Sequence, residues 1–377
     1  MPLEKPGIPA DVSALNFDQM PDGAALWDQL VSESDEGWFW HTRANFDFNF
    51  CASRDFDARD LSFFLMRGGR AIGIVPLTVQ NRRIGDFEGR EAAYYSGFLP
   101  WPCFAKGLPD LSGVEEFAFM ELERRASAAG AGRIRVRSCP ATPISDEVER
   151  IARIASVRRF AHSSIRSHIV ALEPGTLANV RERYRRYHRK FSPQFELEVL
   201  DGVKLDRHWE QTYFELHVKD AGGQFRSRES YTRQADLARK GEGFYVAARH
   251  RERGAVAGML LVSFVKNTAF DNSVGVEPEF QEMYVSHLLK WRAIEELLKR
   301  GAKTYELGEL AEPATMLKVP SPKQCGISHF KEGWARGNVK TVHELDKFMD
   351  AKYLTAHFDA RRSAIAAYFE PPSALKP

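Results

Sequence analysis

Hydrophobic positions change their period along the chain, and the changes repeat. Positions 61–66 and 71–79 are rich in β-branched and aromatic residues and meet across Gly68-Gly69, which predicts a hairpin. A helix is expected before it, over 24–33. After it, 111–129 reads as a helix closed by Gly130 and Gly132, and 133–137 as a short strand with Ile134 and Val136 alternating. A further helix is expected over 146–157. The first 20 positions carry Pro and Asp and are expected to form a loose N-terminal arm, 1–20.

The second half runs through the same order. A hairpin over 244–248 and 255–265 spans a charged turn, and a strand follows over 268–274. Positions 284–299 form an amphipathic helix with Val285, Leu288, Trp291, Ile294 and Leu298 on one stripe. Gly301 ends it, and 303–307 is a strand. The segments Ala71-Ile72-Gly73-Ile74-Val75 and Val256-Ala257-Gly258-Met259-Leu260 match in pattern. These parallels predict an α+β chain of two related units, 21–165 and 166–345, each a mixed sheet flanked by helices. Helices over 176–191, 205–219 and 229–240 lie between the hairpins. The tail, 346–377, is expected to hold a helix over 346–369 stopped by Pro371-Pro372.

Composition narrows the class. The chain has 377 residues, 44% hydrophobic and 28% charged, which excludes disordered and collagen-like proteins. The longest mostly apolar run, 257–265, is far short of the ~20 residues of a membrane helix. Positions 1–16 lack the apolar core of a signal peptide. Cys51, Cys103, Cys139 and Cys325 lie far apart, without zinc spacing, so a reduced, cytoplasmic protein without a metal is expected. Net charge is only +2, so any phosphate or nucleic-acid contact must come from a local patch. Such a patch exists over 181–190, with six Arg or Lys against one Glu. There Arg185, Arg186 and Arg189 crowd like charges that an anionic partner would relieve, and Tyr184 and Tyr187 offer stacking faces.

Three stretches carry a family resemblance: the basic helix 179–190; Ser286-His287-Leu288-Leu289-Lys290-Trp291 with Tyr305-Glu306-Leu307-Gly308; and His329-Phe330-Lys331-Glu332-Gly333-Trp334. Together they resemble the second half of Fem-type transferases, a tandem of two domains with the GNAT acetyltransferase fold. They are also similar to acetyltransferase-like proteins of envelope polysaccharide systems. The resemblance implies an acyl group held in a gap between two splayed parallel strands, here 268–274 and 303–307. It also implies a pyrophosphate loop before the central helix, of pattern Q/R-x-x-G-x-G/A. At that place stands Gln281-Glu282-Met283-Tyr284-Val285-Ser286, with Tyr284 at the first glycine and Glu282 beside the expected anion. The coiled-coil insertion of some Fem-type enzymes, which use aminoacyl-tRNA, is absent.

Acyl transfer to an amine needs a held carbonyl, donors for the oxyanion and a proton acceptor. Asp271, Glu306 and Glu309, at the ends of the two strands, are the catalytic candidates. A carboxylate half-buried in an apolar cleft has the raised pKa of a general base. Strand alternation puts Asp271 and Ser273 on one face and Asn272 on the other. Arg185, Arg186, Arg189, Tyr284, Ser286 and Lys331 are candidates for holding the donor. Arg226, Arg228, Tyr231 and Asn272 are candidates for binding the acceptor. His287, in the first turn of the central helix, is expected to be neutral through the helix dipole. The expected activity is N-acyl transfer from an acyl-CoA type cosubstrate to an amine, on a small molecule, a sugar-nucleotide or an envelope precursor. Aminoacyl-tRNA as donor, with tRNA as partner, and a non-catalytic binding protein remain open alternatives. A monomer or homodimer is expected.

Overall fold

The computed structural model describes residues 7–311 and 319–369. The start of the arm and the Pro371-Pro372 stop lie outside the described residues. The first half runs β1 (Val12–Asn16), α1 (Gly23–Glu33), α2 (Arg43–Ala52), β2 (Arg59–Asp60), β3 (Phe63–Arg67), β4 (Arg70–Val75), β5 (Thr78–Ile84), β6 (Phe87–Ala92), β7 (Leu99–Pro100), β8 (Cys103–Phe104), α3 (Leu111–Ala128), β9 (Arg133–Arg137) and α4 (Val148–Arg158). β10 (Ala161–Ala171) closes the first half, and the second runs α5 (Thr176–Asn179), α6 (Glu182–Phe191), β11 (Phe195–Leu200), α7 (Arg207–Ala221), α8 (Arg228–Arg239), β12 (Gly243–His250), β13 (Val256–Val265), β14 (Thr268–Val276), α9 (Val285–Lys299), β15 (Thr304–Glu309), α10 (Pro322–Ala335), β16 (Val339–Phe348) and α11 (Ala351–Phe369).

Several expectations change. Val12–Asn16, within the expected loose arm, forms β1, paired antiparallel with β3. Pro76, without an N–H to give a ladder, breaks 71–79 into β4 and β5. The two then enter different sheets: β1-β3-β4-β8 on one side, and a twelve-stranded sheet ordered β11-β12-β13-β14-β15-β10-β16-β9-β6-β5-β2, with β7 beside β9, on the other. The helix expected over 176–191 is interrupted at Val180, which is extended and buried. Positions 346–348 end β16 instead of opening the last helix.

The repeat is visible in the pairing. In each half a helix joins two parallel strands: α3 joins β6 to β9, and α9 joins β14 to β15. In the first half β7 also pairs with β9, at Leu99↔Val136 and Pro100↔Arg137, and closes the seam beside the parallel pair. The second half keeps that seam open among the described residues.

The halves are joined by a reciprocal exchange. β10, the last strand of the first unit, pairs with β15 of the second. β16, the last strand of the second unit, pairs with β9 of the first, and β10 and β16 pair with each other over eight registers. The division expected at 165/166 therefore falls inside β10. Separate hydrophobic cores lie under α3 and α4 and under α6, α9 and α10. A third core, beneath α7 and α8, takes Trp38, Phe39 and Ala44 from the first half and Tyr213, Tyr231 and Tyr245 from the second.

Buried charge pins the exchange. Glu344 on β16 accepts from Arg135 at 2.7 Å and from Arg137, both on β9. Burial alone would raise its pKa, but the two guanidinium groups draw it down to about 2. A carboxylate depressed in this way stabilises the fold above its unfolded pKa and loses that contribution as pH falls through the folded value. Glu344→Gln is therefore expected to cost ~3 kcal/mol near pH 7. Denaturant unfolding at a series of pH values checks this: the gap between wild type and variant should close between about pH 4.5 and 2. A gap independent of pH would remove Glu344 from this role.

Candidate active site

Strands β14 and β15 run together through three registers, Thr268↔Thr304, Ala269↔Tyr305 and Phe270↔Glu306. Beyond these, β14 stays with β13 and β15 turns to β10. Each carries an irregularity at the parting. Asn272 is the extra residue of β14 between Leu261 and Val262, and Leu307 that of β15 between His168 and Ile169. Such bulges bend a strand and raise its twist. Gly308, at φ +88°, follows in a conformation that favours glycine. The result is a V-shaped gap with different chemistry on its two faces.

On the α9 face, Asp271 pairs with the buried Lys290 of α9, and Tyr305 donates its hydroxyl to Asp271 Oδ1 at 2.6 Å. Burial lowers the Lys290 pKa, and Asp271 opposes that shift. Outside this trio a cavity of about 510 Å³ opens between the first turn of α9 and α10. Val274 and Val276 lie along its floor, Tyr284, Ser286 and His287 on one wall, and Lys323, Phe330 and Lys331 on the other. Burial lowers the Lys331 pKa, while Asp271, Glu306 and Glu309 pull the other way. A side chain at Gly308 would stand 3.1 Å from Lys331 Nζ, so the glycine leaves room for the ammonium. His287 is pushed to about 4 by burial and by Arg183 and Lys290. It is neutral as expected, but burial and the nearby cations are the cause.

On the opposite face lies Glu306, 6% exposed. Ser167 of β10 donates to its Oε1 at 2.8 Å, and Oε2 is buried without a partner. Burial pushes its pKa up to about 7, against the pull of the Ser167 hydrogen bond, Arg137 and Lys331. It opens on a small cavity with Trp40, Phe98, Arg137 and Phe270. Trp40 and Phe270 also border a neighbouring cavity of about 430 Å³. There Arg226, Tyr231 and Asn272 come together with Gln234, Ser273 and His217. Arg226 donates to Gln234 Oε1 at 2.5 Å and lies over the Tyr231 ring. Gln234 Nε2 donates to Asn272 at 3.0 Å and to Ser273 at 2.9 Å.

Other candidates are placed differently. The bulge at Asn272 breaks the alternation, so Ser273 shares the face of Asn272 and not that of Asp271. Both Asp271 oxygens are taken by Lys290 and Tyr305. Glu309 stands 3.9 Å from Arg137. Arg228 faces another surface, over Phe214, beside Glu210 and Arg239. On the basic helix the tyrosines turn inward: Tyr184 is buried against Gly333, and Tyr187 stacks on Tyr284 at 3.7 Å. Tyr284 holds the left-handed conformation, φ 55°, at the start of α9. Arg185 donates to the Ala178 carbonyl, Arg181 pairs with Glu332, and Arg186 and Arg189 are exposed. Arg183, not among the expected residues, is the arginine near His287. Lys290, Tyr305, Ser167 and Gln234 were also missed. Lys290 was visible as a charge among the apolar residues of α9, whereas Ser167 sits on a strand without a hydrophobic signature.

Comparisons with known proteins agree with this fold. Residues 176–315 match the family model of the acetyltransferase (GNAT) domain. No curated protein sequence matches the chain. Among solved structures, FemX superposes with TM-score 0.64 at 12% identity, over 91% of this chain and 99% of that one. L-PGS from Bacillus licheniformis gives 0.55 at 10%, over 90% and 95%. A tandem GNAT protein from the clavulanic acid biosynthesis pathway gives 0.51 at 15%, over 89% and 98%. The chain has the tandem GNAT fold, and the match to the acetyltransferase (GNAT) domain model lies in its second half.

The Lys290–Asp271 pair yields a stability test. Asp271→Leu strands a buried ammonium and is expected to cost ~3–5 kcal/mol, whereas an apolar pair at both positions is close to neutral. Denaturant unfolding of Asp271→Leu and of the double variant Asp271→Leu/Lys290→Met should show the second recovering most of the loss.

Proposed function

We propose that the protein is an N-acyltransferase that moves an acyl group from an acyl-CoA type donor to an amine bearing an anionic group. Glu306 carries this reading: a buried carboxyl with a pKa about 7, one oxygen held and one unpartnered, where the strands part. The donor would lie along the α9–α10 cavity, with its phosphates toward the Ser286 hydroxyl and the N–H groups of Val285 and Ser286 at the start of α9. Tyr284 adopts the left-handed turn that a glycine would supply, and its ring stacks aside on Tyr187. That supports a retained entry into α9 despite the missing glycine.

The acceptor amine would approach from the Trp40–Phe270 side, with its anionic group on Arg226, a buried guanidinium whose hydrogen-bond partner is an amide. As the amine nitrogen bonds to the acyl carbon, its proton passes to Glu306. The carbon–sulfur bond then breaks, and CoA leaves as the thiolate. Lys331, beside Gly308 where the strands part, would offset negative charge on the carbonyl oxygen. A sugar-nucleotide or envelope-precursor amine fits such an acceptor. The stacked Tyr187–Tyr284 pair beside Arg183 favours a second reading, with aminoacyl-tRNA as donor and its terminal base on that platform.

Calorimetry with acetyl-CoA and with charged tRNA separates the donors; binding of neither would remove the transferase reading. With the donor that binds and a panel of amines, kcat/KM should rise through about pH 7, where Glu306 loses its proton. Glu306→Gln should lower kcat about a hundredfold or more, abolish that limb and leave donor affinity unchanged. A variant that kept the limb would exclude Glu306 as the base.

A further inference from the structure

A cavity of about 660 Å³ adjoins the α9–α10 cleft and shares Ile327 and Lys331 with it. β9, β10 and β16 form its floor, and α10 and α11 its walls. Arg135, Arg166, Lys331 and Arg361 bring positive charge to it, and Glu309, Glu344 and Asp346 bring negative charge. The carboxylates already have guanidinium groups from β9. Glu344 holds Arg135 and Arg137, Asp346 lies 2.7 Å from Arg133, and Glu309 is 3.9 Å from Arg137.

Arg361 is different. Among the described residues it makes no hydrogen bond or ion pair. Burial and the neighbouring cations Arg133 and Arg135 hold its guanidinium below the ordinary value, although Asp346 and Glu344 oppose this. His357, one turn earlier, is pushed to about 3 by burial and by Arg133, Arg361 and Arg135, so it is neutral at physiological pH. The rest of the lining is mixed: His162, Ser163, Ser164 and Gln324 are polar, and an apolar part is formed by Phe348, Ile327 and Phe358 with Ile165, Leu310 and Pro320. Phe348 lies within the cavity, and Ile327 and Phe358 stand 44% and 46% exposed along it. A half-buried guanidinium facing other cations, in a cavity with an apolar part beside it, fits an anion with an apolar body.

We propose that this cavity binds an organic phosphate, its oxygens on the Arg361 fork and its apolar portion against Phe348, Ile327 and Phe358. The inference goes beyond the transfer reading and does not depend on it, because Arg361, Phe348 and Phe358 line this cavity and not the α9–α10 one. The phosphate belongs either to a distal part of the donor or to a separate phosphorylated ligand.

Inorganic pyrophosphate titrated calorimetrically into the full chain at low salt tests the site. Wild type should bind, Arg361→Gln should bind about tenfold or more weakly, and Arg361→Lys, which keeps the charge but loses the fork, should fall between. Circular dichroism checks the fold of both variants; should Arg361→Gln not fold, weakened binding by Arg361→Lys is the deciding result. Absence of binding by wild type, or equal binding by the variants, overturns the proposal. Repeating the titration with saturating acetyl-CoA identifies the source. Displacement, with acetyl-CoA affinity also reduced in Arg361→Gln, assigns the phosphate to the donor. Simultaneous binding assigns it to a separate ligand.

Discussion

Strands β14 and β15 share three registers and then part, and the candidate active site takes its arrangement from that parting. A continued ladder would leave no gap between the α9 face and the Trp40 face. Two extra residues, Asn272 and Leu307, start the divergence, one on each strand. The Lys290–Asp271–Tyr305 cluster ties both strands to α9 where they begin to separate. The opening is thus held between a backbone irregularity and a buried charged cluster. The first half shows the contrast. There β7 lies against β9, and the corresponding seam is closed.

The same parting sorts the ionisable groups. Asp271 and Glu306 occupy adjoining strands at neighbouring registers, yet their surroundings differ. Asp271 faces a lysine and a tyrosine that saturate its oxygens, whereas Glu306 faces one serine and an aromatic-walled cavity. Two carboxylates that look alike in the sequence are separated into a structural counter-ion and a proton-accepting candidate by which face of the sheet each is on.

Much of the second half was legible, because its strands and α9 bury large apolar residues with a clear period: Phe244, Val246, Leu260, Val262, Leu288 and Ile294 all lie in cores. The exchanged strands were not. β10 reads Ala161-His162-Ser163-Ser164-Ile165-Arg166 over its first part, since it borders a charged cavity, and β16 carries Glu344 and Asp346 for the arginines of β9. Polar strands of this kind have no hydrophobic alternation to find. The site was legible where chemistry and position coincide, as at Glu306 and Arg226. It was obscured where a bulge reset the faces, at Ser273, and where the basic helix turned its tyrosines inward. Charge density along 181–190 pointed to Arg185, Arg186 and Arg189, but only the packing of Tyr184 and Tyr187 on α9 shows which side of the helix meets the cleft.

The reciprocal strand exchange has a consequence for how the chain is made. Arg137 and Glu344 are 207 positions apart, yet they meet across one strand pair. Contacts of such separation form late and slow folding. As the chain leaves the ribosome, β9 emerges long before β16, and until then one of its edges is uncovered. The first unit would have to wait with that edge open, and a chain truncated before residue 339 would keep it open permanently. An intermediate of this kind is prone to pairing with the wrong strand, including the same edge of another nascent chain. The charged residues along β9, Arg133, Arg135 and Arg137, are well suited to that interval: the three like charges that later grip β16 also repel a second copy of β9.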